Sequence, residues 1–110
     1  MTNYSVGHAA EVQAAEYLKQ NGFKIHELNW KTKYCEIDIV AKKDQAIYFV
    51  EVKSRKNNKQ GYGLDYVTPK KLNQMRFAAE MWISNHSWAG EYQLAAIGID
   101  DEKITFLDEL

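Results

Sequence analysis

Asp38, Glu51 and Lys53 are the residues of this chain whose types and spacing could do chemistry. Glu51 and Lys53 flank Val52 in the apolar run Phe49-Val50-Glu51-Val52-Lys53, and Asp38 sits in the similar run Glu36-Ile37-Asp38-Ile39-Val40. In a strand, residues two apart point to one face, so Glu51 and Lys53 share a side that Val52 does not. Two hard carboxylates, with water and a backbone carbonyl, suit Mg²⁺ or Mn²⁺. Such an ion polarises a phosphoryl oxygen and acidifies a bound water. A lysine beside it holds that water or balances charge growing on phosphate. Without a cation, clustered carboxylates repel one another and repel phosphate too. By itself Glu-x-Lys is an ordinary cross-strand ion pair. What sets it apart is that the strand is otherwise apolar, and charges entering a buried strand need a reason.

The elements that must position these residues read as follows. Residues 6–21 form a helix with Ala9, Val12, Ala14, Ala15 and Leu18 on its apolar stripe, Ser5 as a cap and Asn21-Gly22 as its stop. Residues 23–30, 34–41 and 46–52 are rich in aromatic or β-branched residues and predict three strands. The polar link Lys42-Lys43-Asp44-Gln45 makes the last two an antiparallel hairpin. With 41 opposite 46, Asp38 faces Phe49 and Glu36 faces Glu51, which sets Asp38 diagonal to Glu51. Ile37, Ile39 and Val52 then share the apolar side, and Glu36, Asp38 and Glu51 the polar one. Residues 57–66 predict a loop. Thr68-Pro69 opens a second helix, to about residue 85, that buries Leu72, Met75, Phe77 or Ala79, Trp82 and Ile83. Residues 92–99 and 103–107 predict two more strands. The order α-β-β-β-α-β-β implies an α/β fold with a mixed five-stranded sheet, its third and fourth strands parallel across the second helix.

The chain has 110 residues, 45% hydrophobic and 26% charged, which is one domain's worth of sequence over 1–110. Proline occurs once, and the only cysteine, Cys35, can make no internal disulfide. No apolar run approaches the roughly 20 residues that span a bilayer, and the N-terminus lacks a secretory pattern. The expectation is a cytoplasmic protein with no membrane partner. Net charge is −1, yet residues 42–76 carry nine basic against three acidic residues, a local +6. The remainder carries five against twelve, or −7. A chain so divided can turn one basic face to phosphate.

The run Cys35-Glu36-Ile37-Asp38-Ile39-Val40-Ala41, followed by Glu51-Val52-Lys53-Ser54-Arg55, resembles the PD-(D/E)xK nuclease pattern. More narrowly, the chain is similar to the YraN-like family of endonuclease-like proteins, related to archaeal Holliday junction resolvases. The likeness extends to Gly7, Glu11, Tyr17-Leu18, Gly22, Asn29-Trp30, Gly63 and Lys71-Leu72. It implies a restriction-endonuclease-like core and a Mg²⁺-dependent endonuclease acting on DNA, on branched or otherwise structured forms of it. It further implies Asp38 and Glu51 as metal ligands with the Val52 carbonyl, Lys53 as the catalytic lysine, and Glu11 reaching the site from the first helix. Glu36 is a supporting residue. Arg55, Lys56, Lys70 and Lys71 are candidates for nucleic-acid contact.

Cysteine at 35 and alanine at 10 stand where the family usually has glycine, and lysines at 31 and 33 where it usually has arginine. Cys35 reads as a small buried hydrophobe. His8, His26 and His86 show no ligand spacing. Trp30, Trp82 and Trp88 read as core or as a dimer surface, while Tyr62 and Tyr66 are the better candidates to touch nucleic acid. A homodimer suits a small domain that cuts two strands, since a twofold axis supplies two sites. The alternative is a non-catalytic nucleic-acid-binding or protein-interaction module on a nuclease-like fold.

Overall fold

The computed structural model describes residues 3–55, 67–101 and 103–110, without the side chains of residues 3–7 and Arg55. The expected Ser5 cap, the loop at 57–66, and contacts by Arg55, Lys56, Tyr62 and Tyr66 lie outside the described residues. The elements are α1 (Asn3–Gln20), β1 (Lys24–Lys31), β2 (Glu36–Lys43), β3 (Ala46–Arg55), α2 (Pro69–His86), β4 (Glu91–Asp100) and β5 (Lys103–Leu107). They build one five-stranded sheet in the order β1-β2-β3-β4-β5. Only the β3–β4 pair is parallel, as a crossover through α2 requires. No described helix is long and apolar enough to cross a membrane.

α1 packs on one face through Ala10, Ala14, Ala15 and Leu18, against Ile39, Ala41, Val50, Ala95, Ile97 and Ile99. The small side chains let the helix axis come close to the sheet. Ala9 and Val12, expected on this stripe, point outward instead, because the buried positions recur at 10, 14 and 18. The helix ends in a Schellman motif: Phe23 N–H donates to the Leu18 carbonyl at 3.0 Å and Gly22 N–H to Lys19 at 3.2 Å. Gly22 has φ +89°, a conformation glycine adopts without cost.

α2 covers the other face. Thr68 caps it by accepting the Lys71 N–H at 3.1 Å, with Pro69 next in the chain. Met75, Ala78, Ala79 and Trp82 are its buried residues, packed on Ile37, Val40, Ile47, Phe49 and Leu94. Phe77, an expected core candidate, is 48% exposed.

Trp82 anchors this layer. Its Nε1–H donates to Glu27 Oε1 at 3.0 Å, Phe49 meets its ring edge-on, and the His86 imidazole stacks on it at 3.9 Å. Trp82 is therefore core and unavailable as the dimer surface considered from the sequence. Trp82→Ala should lower the unfolding free energy by about 3–5 kcal/mol, read as a shifted urea midpoint. A loss below about 1 kcal/mol would show that the neighbours close over the space.

The hairpin departs from the expected register. β2 runs through Lys43, and only Asp44 and Gln45 turn, with φ +52° and +75°. Two successive positive φ angles make a two-residue turn of the type that matches strand twist. Lys43 thus pairs with Ala46, and Ile39 with Val50, a shift of two residues from the expected pairing. Lys42 and Lys43 stay in the strand because distant groups hold their ammonium ends. The Lys42 ammonium lies 5.5 Å from the Trp88 ring centre, and Lys43 donates to the Asn21 carbonyl at 3.0 Å.

Candidate active site

The pairing of β2 with β3 stops at Ile39 and Val50. Each strand continues past that point with its other neighbour: β2 stays on β1 as far as Glu36, and β3 stays on β4 as far as Arg55. The two strands therefore fork, and Asp38 stands in the fork. Extending the ladder sets Asp38 across from Glu51, where the sequence reading placed it diagonally. Asp38 Oδ2 accepts the Val52 N–H at 2.8 Å, so a carboxylate takes the place of a strand carbonyl. A strand residue turns its N–H and C=O to the same neighbour, so the Val52 carbonyl opens on the fork as well.

The expected sorting of faces is corrected here. Val52 and Ile39 share the α1 layer as anticipated, but Ile37 packs in the α2 layer beside Val40. The alternation breaks across Asp38, which lets this one side chain turn into the gap between strands. Helices cover the central strands on both sides, and the exposed positions alternate along the edge strands β1 and β5.

Burial raises the Asp38 carboxyl from its ordinary 3.8 to about 7. The nearby Glu51 carboxylate adds to the rise, the Val52 N–H opposes it, and Glu11 and Glu36 contribute smaller upward pushes. The fork thus gathers the negative charge of two strands and α1. Glu11 is held by Asn29, whose Nδ2–H donates to Glu11 Oε1 at 2.6 Å. Asn29 itself has φ +54°; its short side chain tolerates that conformation. Glu51 Oε2 lies 3.0 Å from Lys71 Nζ. Lys53 is exposed, two residues beyond Glu51, and its partner on β4 is Gly98, which brings no side chain to crowd it.

A cleft of about 800 Å³ opens beside Glu51 and Glu36. Lys70, Lys71, Asn73 and Gln74 line it from α2, and Tyr34 and Cys35 from the corner before β2. Cys35 packs at the margin of the α2 layer with its Sγ 3.5 Å from Thr32 Oγ1, and it is partly buried at the cleft wall where the sequence suggests a buried hydrophobe. Tyr34 is 68% exposed, and the Lys33 ammonium lies 5.4 Å from its ring centre. Phe77 lines the same cleft.

Sequence reasoning missed Asn29, the pairing of Lys71 with Glu51, and the two exposed aromatics of the cleft. Asn29-Trp30 and Lys71-Leu72 carry a signal through the family pattern, but their pairing with Glu11 and Glu51 does not show in it. Among the described residues no group of three or more Asp, Glu, His or Cys side chains is placed to hold a metal ion by itself. The donor set on offer is two carboxylates with a backbone carbonyl and room for water. That suits an ion that keeps part of its hydration shell, as Mg²⁺ does.

Residues 10–100 match the profile of the family described as Uncharacterised protein family UPF0102. The chain belongs to the UPF0102 family. A UPF0102 protein of Cytophaga hutchinsonii is 35% identical over 104 residues, which cover 94% of this chain and 92% of that one. One from Campylobacter hominis is 32% identical and covers 100% and 96%. A third, from Vibrio vulnificus, is 39% identical over 84 residues, or 76% and 69%. The UPF0102 match takes in every element of the fork, from Glu11 in α1 to β4.

Proposed function

We propose that this UPF0102 protein is a metal-dependent endonuclease that hydrolyses DNA phosphodiester bonds, with branched or otherwise structured DNA as its substrate. The observation that carries the reading is Asp38, a carboxylate fixed in the strand fork by the Val52 amide and crowded by Glu51. A fold that keeps a carboxylate under such strain gains from a cation there. Asp38, Glu51 and the Val52 carbonyl would hold Mg²⁺ or Mn²⁺. The ion supplies Lewis-acid polarisation of phosphate and a water acidic enough to lose its proton near neutral pH. Lys53 orients the attacking water or balances the charge on the phosphoryl oxygens. Asn29 steadies Glu11 at the edge of the site, and Glu36 adds negative charge that strengthens the pull on a cation. Lys70 at the cleft wall contacts the backbone beyond the cut.

The exposed rings of Tyr34 and Phe77 support structured DNA over plain duplex, because an unpaired base can stack on them. Tyr34→Ala or Phe77→Ala should weaken binding of a flap or junction about tenfold and leave blunt duplex binding unchanged, measured by fluorescence anisotropy without metal. Equal losses on both substrates would remove this support.

The deciding assay offers four-way junction, flap and duplex DNA with Mg²⁺ or Mn²⁺. Cleavage is expected with either ion, suppressed by chelation and strongest on the branched forms. The second reading, a non-catalytic binding module, is favoured by the Lys71 ammonium already neutralising Glu51. It prevails if no substrate is cut and no Mn²⁺ binds at millimolar concentration.

A further inference from the structure

Lys71 occupies the first turn of α2, where its own N–H is taken by the Thr68 cap. A lysine there would ordinarily extend into water, since the positive end of the helix dipole disfavours it. Instead its ammonium reaches β3 and meets Glu51 Oε2 at 3.0 Å. The pair is half-buried, with side-chain exposures of 32% for Lys71 and 20% for Glu51. It joins two elements and forms only when α2 docks. Both residues line the cleft that also holds Lys70.

We infer that Lys71 is the built-in counter-cation of the centre, holding Glu51 while the metal is absent and passing to a substrate phosphate when a divalent ion takes Glu51. This rests on the metal-site reading above. A carboxylate that ligates a dication cannot keep an ammonium at full strength, because the two cations repel at that range. The released ammonium stays in the cleft, whose lining also carries Glu36, and a nucleic-acid phosphate that enters there becomes its partner. Metal and phosphate then reinforce each other: the ion frees Lys71 for phosphate, and phosphate draws Lys71 off Glu51 for the ion. Such coupling is reciprocal by linkage. Lys71 is in this sense a positioning residue, distinct from Lys53, whose work is in the chemical step.

Two measurements test it on the intact protein. Mn²⁺ affinity is measured by calorimetry for wild type, Lys71→Met and Lys71→Arg. Lys71→Met removes a competing cation, so it should bind Mn²⁺ about 3–10-fold more tightly, while Lys71→Arg stays near wild type. Affinity for a labelled flap oligonucleotide is then compared in Ca²⁺ and in EDTA. The Ca²⁺-to-EDTA ratio should fall about 3–10-fold in Lys71→Met, because only the wild type gains a phosphate contact when metal enters. A Lys71→Met protein that folds and binds Mn²⁺ no more tightly than wild type overturns the inference and leaves the metal site standing. If wild type binds no Mn²⁺, or Asp38→Asn binds it equally well, the metal-site reading fails and takes this one with it.

Discussion

Asp38→Asn should abolish cleavage and, in the same protein, raise the stability of the metal-free fold at pH 8. Asparagine is nearly isosteric, and its Oδ1 can still accept the Val52 N–H that Asp38 accepts now. What it removes is the charge. The folded carboxyl titrates at about 7 against an ordinary 3.8, so between those values the folded chain holds a proton that the unfolded chain has lost. Stability from this group is therefore full below about pH 4, declines as pH rises, and is gone above about pH 7. That rise is worth at most about 4 kcal/mol. Solvent at the mouth of the fork reduces what asparagine recovers to about 1–2 kcal/mol, or roughly 5–10 °C in Tm. The gain should vanish at pH 4, where wild type is already protonated. Loss of a direct ligand should cost at least about 10²-fold in rate, because even indirect supports of a metal are worth 10–100-fold. Thermal melts at the two pH values and a cleavage time course check both halves. Unimpaired cutting by Asp38→Asn would sink the proposed function.

Lys53→Ala should slow the chemical step by about 10²–10³-fold, the usual loss on removing one preorganised donor at a developing negative charge. Its Mn²⁺ affinity should be equal to or tighter than that of wild type. Stability should change by less than about 0.5 kcal/mol, since the side chain is exposed. Single-turnover kinetics at saturating Mn²⁺ separate this from a binding defect. Lys53→Arg should restore only part of the rate, because a planar fork does not replace a compact point charge. Lys53 and Lys71 can thus be told apart, one by the rate of the step and the other by metal affinity.

Much of this arrangement is legible in the chain itself, and the parts that are not have physical reasons. Asn21-Gly22 and Thr68-Pro69 are local signals, and the helices end and begin at them. The three-strand run and the parallel β3–β4 pair follow from apolar patterning and a helical crossover. The register is not legible because Lys42 and Lys43 read as loop. The groups that keep them in the strand, Trp88 and Asn21, are remote in sequence. The turn of Ile37 into the α2 layer is equally invisible, since periodicity assumes an unbroken pleat. At the site, Asp38 and Glu51 are strand residues in a recognisable pattern. Asn29 and Lys71 are plain surface types until tertiary docking brings them to Glu11 and Glu51.

The two-residue turn at Asp44-Gln45 also bears on the order in which this centre comes into being. A hairpin so tightly closed forms in about 1–10 μs. The hairpin is therefore expected to bring the strands that carry Asp38 and Glu51 together early, up to the Ile39–Val50 pair from which the fork opens. The parallel pairing of β3 with β4 must wait for the whole crossover, and non-local pairings of that kind are slow. Lys71 rides on that crossover. The carboxylates are thus expected to meet before their own cation arrives, and Trp82, buried as α2 docks, would time that arrival by its fluorescence in a refolding experiment on a chain with Trp30→Phe and Trp88→Phe.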